Sequence, residues 1–286
     1  MAFLDEMDPA TGFLDGKAVR AKGRELQERY RSARPFPHVV IDDFLPRPLI
    51  DMCVAEFDRS RHDGQIVYDR TQERLKREYK PDELSPAPRA LFYAFNARPF
   101  ITVLENITGI DGLIPDPYYL GAGFHEIHQG GHLSVHADFN HHKQMNVERR
   151  INVLIYLNDG WRDEYGGQLE LWDERMTVRE QSVVPVANRC VIFNTTSNSM
   201  HGNPNPVNVP DGRSRKSIAL YYYTATWDRA KRSHTTQFQV RPGSEDKVDW
   251  KVKAVELAMD LAPPIAIRAA KKLRNVARGG GTAARA

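Results

Sequence analysis

Four short apolar or alternating runs follow one another in the second half of the chain, at 151–158, 168–173, 190–194 and 215–224. Turn formers punctuate this half: Gly130-Gly131, Gly166-Gly167, the proline-bounded stretch 204–210 and Asp211-Gly212. Short strands in series with such breaks read as an antiparallel sandwich or barrel. Upstream, Pro46 and Pro48 open a helix over 49–57. A second helical stretch starts near Pro88 and is broken by Pro99 into pieces ending near Ala97 and Ile107. The pattern predicts a mainly β protein with flanking helices.

Inside that β pattern the histidines are concentrated. Six of the ten lie between His125 and His142, and one opens His136-Ala137-Asp138. Residues i and i+2 of a strand point to one face, so His136 and Asp138 project side by side. An imidazole and a carboxylate so placed are two thirds of the facial triad that holds non-haem Fe(II) with open positions. The third ligand is expected from a distant strand edge. Two histidines follow His142, and His201 is favoured over His234. His201 follows the run 190–194 and precedes Gly202, which lets backbone pass close to a ligand. His234 sits among Lys231, Arg232 and Ser233, in the manner of an exposed loop.

Downstream, strand parity places Arg215, Ser217 and Ala219 on one face of the last run. An arginine fork beside a hydroxyl at the start of an apolar strand is suited to a carboxylate, which it meets in bidentate fashion. A surface arginine at a strand end is the plainer alternative. For His125, His128, His132, His141 and His142 the expectation is a supporting or surface position, since ligating groups need hydrogen-bonded support.

The order His-x-Asp, distal His, then Arg-x-Ser resembles the Fe(II)/2-oxoglutarate dioxygenases, in particular their prolyl 4-hydroxylase-like branch. The segments 35–45, 130–138 and 150–158, then Trp161 and 166–171, carry further resemblance, which extends over roughly residues 35–228. It implies a double-stranded β-helix (jelly roll) whose lumen holds the metal. By it, His136, Asp138 and His201 bind iron, Arg215 pairs with the distal carboxylate of 2-oxoglutarate, and Tyr156 helps to hold that carboxylate. Ser217 joins this cosubstrate set from beside Arg215. The implied reaction consumes 2-oxoglutarate and O₂, releases succinate and CO₂ and hydroxylates a substrate, with ascorbate a further candidate cofactor. Asp138 stands where related halogenases lack a carboxylate, which favours hydroxylation. One departure is local: many relatives carry a tyrosine about nine residues before the first ligand, where Ile127 stands beside His128. His125 and His128 are candidates to supply the missing polar contact.

The branch suggests a prolyl residue in a peptide or protein as substrate, with small metabolites as the alternative. A cupin-type metalloenzyme is a rival, although cupins show His-x-His with a nearby glutamate. A zinc hydrolase on the same ligands leaves Arg215 without a role, and a bare binding module leaves the intact ligands without one.

Three parts are expected: an arm and polar helix over 1–34, the dioxygenase domain over 35–245, and a helical basic tail over 246–286. The densely charged stretch 58–89 reads as a solvated helix or loop, or as a lid over the site. The 286 residues carry a formal +3, but six basic residues from Arg268 onward meet no acid, and without them the remainder carries −3. No nucleic-acid footprint is therefore expected. No run approaches the roughly 18 apolar residues of a membrane span. Two cysteines and an acidic N-terminus point to a cytoplasmic protein.

Overall fold

Alternation along the strands decides which side chains face which layer. The computed structural model describes residues 1–59, 65–226, 228, 233–244 and 250. Its strands are β1 (His38–Ile41), β2 (Ile66–Tyr68), β3 (Glu73–Tyr79), β4 (Ile114–Pro115), β5 (Gly123–Ala137), β6 (His141–His142) and β7 (Val147–Tyr156). They continue as β8 (Leu169–Trp172), β9 (Arg179–Val183), β10 (Cys190–Asn194), β11 (His201–Asn203), β12 (Arg215–Thr224) and β13 (Gln237–Phe238). Among the described residues four α-helices are complete: α1 (Gln27–Ser32), α2 (Arg47–Arg59), α3 (Pro86–Phe95) and α4 (Arg98–Thr108). The proline break falls where expected. Ala97 is extended, and Pro99 enters the first turn of α4, where a missing N–H costs nothing.

The sheet runs β1-β10-β7-β12-β5-β11-β8-β9 with every neighbouring pair antiparallel. Strand β5 joins its two halves. Residues 123–127 pair with β12, and Leu133 and His136 pair with β11. The strand turns between them at Gly130-Gly131, where Gly130 has φ +77° and a Cβ on Gly131 would lie 2.7 Å from the Arg74 carbonyl oxygen. The sheet thus curls over itself into the jelly roll that the family resemblance implies.

Each face of the larger half has its own partner. Cys190, Ile192, Ile151, Val153, Ile155, Ile218, Leu220 and Tyr222 pack with the helices in one large core. Their neighbours Val191, Phe193 and Tyr156 turn inward and meet Leu169, Leu171 and Val183 of the smaller half. That inner layer is the wall against which the site is built.

Two stretches differ from the sequence expectation. Residues 66–79 form the hairpin β2–β3, and β3 pairs with β5 from Glu73↔Leu133 to Tyr79↔Phe124. The charge-rich pattern pointed to a solvated helix, loop or lid because it does not tell a charged residue facing a polar lumen from one facing water. The N-terminal stretch contributes Leu4, Met7, Leu14, Val19 and Tyr30 to the large core, with α1 as its α-helix. Among the described residues no helix is long and apolar enough to cross a membrane. The tail 246–286 lies outside the described residues, apart from Trp250.

Candidate metal and cosubstrate site

Parity and pairing bring three ligand types to one point. His136 sits near the end of β5, directly opposite His201 on β11, and Asp138 follows one residue beyond β5. The His136 Nε2 lies 3.6 Å from Asp138 Oδ1, and the His201 Nε2 lies 3.3 Å from Oδ2. Donor atoms about 2.1 Å from a shared ion stand about 3 Å apart at right angles, so this spacing suits a single ion. One donor atom from each of the three falls within a mutual 4.8 Å, the one such set of three or more among the described residues.

The two imidazoles are oriented in the same way. His136 Nδ1 donates to the Ser134 carbonyl at 2.8 Å, and His201 Nδ1 donates to that of Ser199 at 2.9 Å. Committing Nδ1–H to the backbone leaves the Nε2 lone pair for a metal. Phe193 packs edge-on against His201 at 4.7 Å, and Phe238 lies 5.2 Å from His136. Burial pushes the His136 pKa down, which keeps the ring neutral and able to ligate.

Asp138 is held by residues that strand parity did not single out for this role. Its Oδ2 accepts from Arg149 Nη2 at 2.9 Å and from Asn152 Nδ2 at 2.7 Å. Arg149 also donates to Asn152 Oδ1, and its guanidinium lies between the rings of Tyr221 at 3.5 Å and Phe139 at 4.4 Å. Burial would raise the Asp138 pKa, but the adjacent Arg149 charge outweighs it and holds the carboxyl well below the usual range. In a regular strand Arg149 and Asn152 would face opposite sides. The pairing Tyr222↔Ile151 is followed by Tyr223↔Arg149, so a bulge at Arg150 turns both inward.

Farther along the lumen lie Arg215, Ser217 and Tyr156. Ser217 is opposite Tyr156 on one side and His125 on the other, and Arg215 is opposite Ile127. The Arg215 guanidinium stands 5.0 Å from the Tyr156 ring centroid, and its Nε donates to the Gly167 carbonyl at 2.7 Å. Gly167 has φ +69°, and a Cβ there would meet Arg215 Cδ at 2.9 Å, so glycine permits this approach. Arg215 is 4% exposed and pairs with no carboxylate among the described residues. The Tyr156 hydroxyl is buried without a hydrogen-bond partner. A buried cation and an orphaned hydroxyl side by side fit an anionic ligand such as a carboxylate.

The other histidines stand apart from the metal set. His234 shares a 2.8 Å hydrogen bond with Ser197 Oγ. His128 lies 3.4 Å from Glu126, on the opposite strand face from Ile127, while His125 shares the lumen row of Ser217. His132 donates to the Thr71 carbonyl, His141 bonds Asn146, and His142 Nε2 lies 3.5 Å from Asp116.

Comparison with known proteins agrees with this geometry. Residues 122–223 match the 2OG-Fe(II) oxygenase superfamily. No curated protein matches the chain significantly in sequence. The fold resembles a prolyl hydroxylase from Trichoplax adhaerens crystallised with a hypoxia inducible factor oxygen degradation domain peptide fragment. That match has 16% identity and a TM-score of 0.52, covering 72% of this chain and 91% of that one. A prolyl 4-hydroxylase from Phytophthora capsici matches at 18% identity and a TM-score of 0.51, over 85% and 75% of the two chains. The non-heme alpha ketoglutarate dependent epimerase SnoN from nogalamycin biosynthesis matches at 15% and 0.50, over 79% and 98%. The matched segment runs from the start of β5 into β12, so residues 122–223 carry a 2OG-Fe(II) oxygenase domain, and the protein is an enzyme that uses iron and 2-oxoglutarate.

Proposed function

We propose that the protein hydroxylates an organic substrate, with iron held by His136, Asp138 and His201. The observation that carries this reading is the convergence of both Nε2 atoms on the Asp138 carboxylate, with Arg215 deeper in the same lumen. Arg215 receives the distal carboxylate of 2-oxoglutarate through its planar fork, aided by the Ser217 and Tyr156 hydroxyls. When bound, iron and cosubstrate supply the oxidative chemistry that yields succinate, CO₂ and a hydroxylated product. The protein's own residues supply geometry. The Ser134 and Ser199 carbonyls orient the imidazoles, and Arg149 and Asn152 engage one carboxylate oxygen of Asp138 and leave Oδ1 toward His136. The apolar wall of Leu169, Leu171, Val191 and Phe193 keeps bulk water from the reacting centre.

The catalytic unit is read as residues 35–245, with the stretch 1–34 packed on it and the basic tail 246–286 outside it. A prolyl residue in a peptide or protein is the first candidate substrate, since two enzymes of this fold are prolyl hydroxylases and one was crystallised with a peptide. A small metabolite is the second, because an epimerase of nogalamycin biosynthesis shares the fold. Ascorbate as a reductant and a cytoplasmic location belong to the same proposal, the latter supported by two buried free thiols, Cys53 and Cys190.

Anaerobic addition of Fe(II) and 2-oxoglutarate tests the site directly, and the weak visible charge-transfer band of the chelate is the expected result. Tight zinc binding with hydrolytic turnover and no band would replace this reading. Oxygen-dependent succinate release, measured with prolyl peptides and free metabolites, then separates the substrate classes, with mass spectrometry locating the added oxygen atom.

A further inference from the structure

Two buried charges in the lumen have no charged hydrogen-bond partner among the described residues. Arg215 is the first, and the cosubstrate carboxylate answers it. Glu78 is the second. It lies on β3 opposite His125, which is opposite Ser217, which is opposite Tyr156, so all four side chains share one row of one sheet face. Adjacent strands are about 4.8 Å apart, so Glu78 starts roughly 10 Å along that row from Ser217. It is therefore part of the lumen wall.

Its surroundings leave one of its oxygens open. Glu78 is 2% exposed, its Oε2 accepts from the Tyr68 hydroxyl at 3.0 Å, and its Oε1 is buried with no partner. His125 Nε2 lies 4.0 Å away but donates to the Gly121 carbonyl, and burial keeps the imidazole neutral. Lys76, two residues back on the same face, pairs with Glu73 at 3.3 Å and lies 4.8 Å above the Tyr68 ring. Asp138, the acid at the metal corner of the lumen, is matched by Arg149. Burial pushes the Glu78 pKa upward, against the opposing pull of the Lys76 and Lys80 charges and the Tyr68 hydrogen bond. The neighbouring rings of Tyr68 and Tyr221 offer π-faces that tolerate cations, as Lys76 and Arg149 already show.

We propose that Glu78 is a substrate-recognition residue that takes a cationic nitrogen, an alkylammonium or guanidinium group, carried by the molecule to be hydroxylated. The inference rests on the oxygenase reading above and narrows its substrate class. A hydroxyl group would satisfy Oε1 but leave the charge unanswered, whereas a cation satisfies both through a charge-assisted hydrogen bond. The group has two sources, a basic residue of a peptide or a free amine.

The test uses the full-length iron enzyme and matched pairs of probes that differ in charge alone. Free probes are L-lysine against Nε-acetyl-L-lysine and L-arginine against L-citrulline. Peptide probes are end-blocked tripeptides centred on lysine or on Nε-acetyl-lysine. Stimulation of 2-oxoglutarate-dependent oxygen uptake is expected to favour the cationic member by about tenfold or more in at least one pair. The arm that responds, free or peptide, identifies the source. Glu78→Gln is expected to erase the preference, and Glu78→Asp to retain it with a raised KM. Equal response within every pair, no response to any probe, or a preference that survives Glu78→Gln would overturn the proposal. The wild-type comparison decides alone if Glu78→Gln does not fold. A normal charge-transfer band with no charge preference removes only this inference, while loss of the band removes the oxygenase reading beneath it.

Discussion

The metal corner and the rest of the lumen are built on opposite plans. At the corner each group already has a protein partner: both imidazole Nδ1 atoms, the Asp138 Oδ2, the Arg149 guanidinium and both ends of the Asn152 amide. Farther along, Tyr156 Oη and Glu78 Oε1 are buried with none, and Arg215 has a neutral carbonyl in place of an acid. A satisfied network fixes its members in one geometry, whereas buried polar groups left open are costly and persist where a ligand completes them. The corner is thus a finished scaffold for an ion, and the remaining lumen is finished by what binds there.

The largest effect expected from this contrast is at the three proposed ligands. Replacing His136, Asp138 or His201 by alanine should reduce succinate release to background and remove the charge-transfer band, with the barrel still folded by its separate cores. His234→Ala should leave both readouts near wild type, since its partners are Ser197 and the adjacent backbone. An essential His234 with a dispensable His201 would break the assignment.

Next is the support of the corner. Arg149→Met leaves Asp138 as an uncompensated buried charge, which costs about 3–5 kcal/mol of stability. A divalent ion restores a positive charge at the same carboxylate, so Mn²⁺ should raise the melting temperature of Arg149→Met more than that of wild type. Equal metal-induced shifts would show that Arg149 serves packing between Phe139 and Tyr221 rather than the carboxylate. On the open side, Arg215→Lys keeps the charge and loses the fork. It should raise the 2-oxoglutarate KM about 10- to 100-fold, from a charge-assisted bond worth about 1.5–3 kcal/mol, with little change in iron affinity.

The same contrast separates what the sequence made legible from what it hid. His136, Asp138 and His201 stood out because imidazoles and carboxylates at strand spacing are chemically conspicuous, and 190–194 and 215–224 match β10 and β12 because period-2 alternation is unbroken there. Arg149 was hidden by the bulge at Arg150, which reverses parity and has no marker in the sequence. Glu78 was hidden for a different reason. It lies in a run of alternating charges whose inward members face a polar lumen, so hydropathy assigned the run to solvent. The leading stretch read as an arm since Leu4, Met7, Leu14 and Val19 follow no helix or strand period, yet all four are buried. Local pattern carries strand identity, while pairing and bulges carry the orientation of the support.

The smallest expected effect discriminates most sharply between the two plans, and it is at Tyr156. Its hydroxyl is buried, has no partner, and adjoins Arg215 across the ring face. Removing a hydroxyl that makes no bond relieves its desolvation cost, so Tyr156→Phe should leave the ligand-free enzyme as stable as wild type, or more stable by about 1 kcal/mol. With 2-oxoglutarate present the sign should reverse. One hydrogen bond of about 1 kcal/mol is then missing, the KM rises roughly fivefold, and the cosubstrate stabilises the variant less than the wild type. Thermal melts with and without 2-oxoglutarate, at fixed Mn²⁺, measure both signs in one experiment. A Tyr156→Phe enzyme destabilised without ligand and unaltered in KM would place this hydroxyl in the fold and cancel the contrast between the two regions.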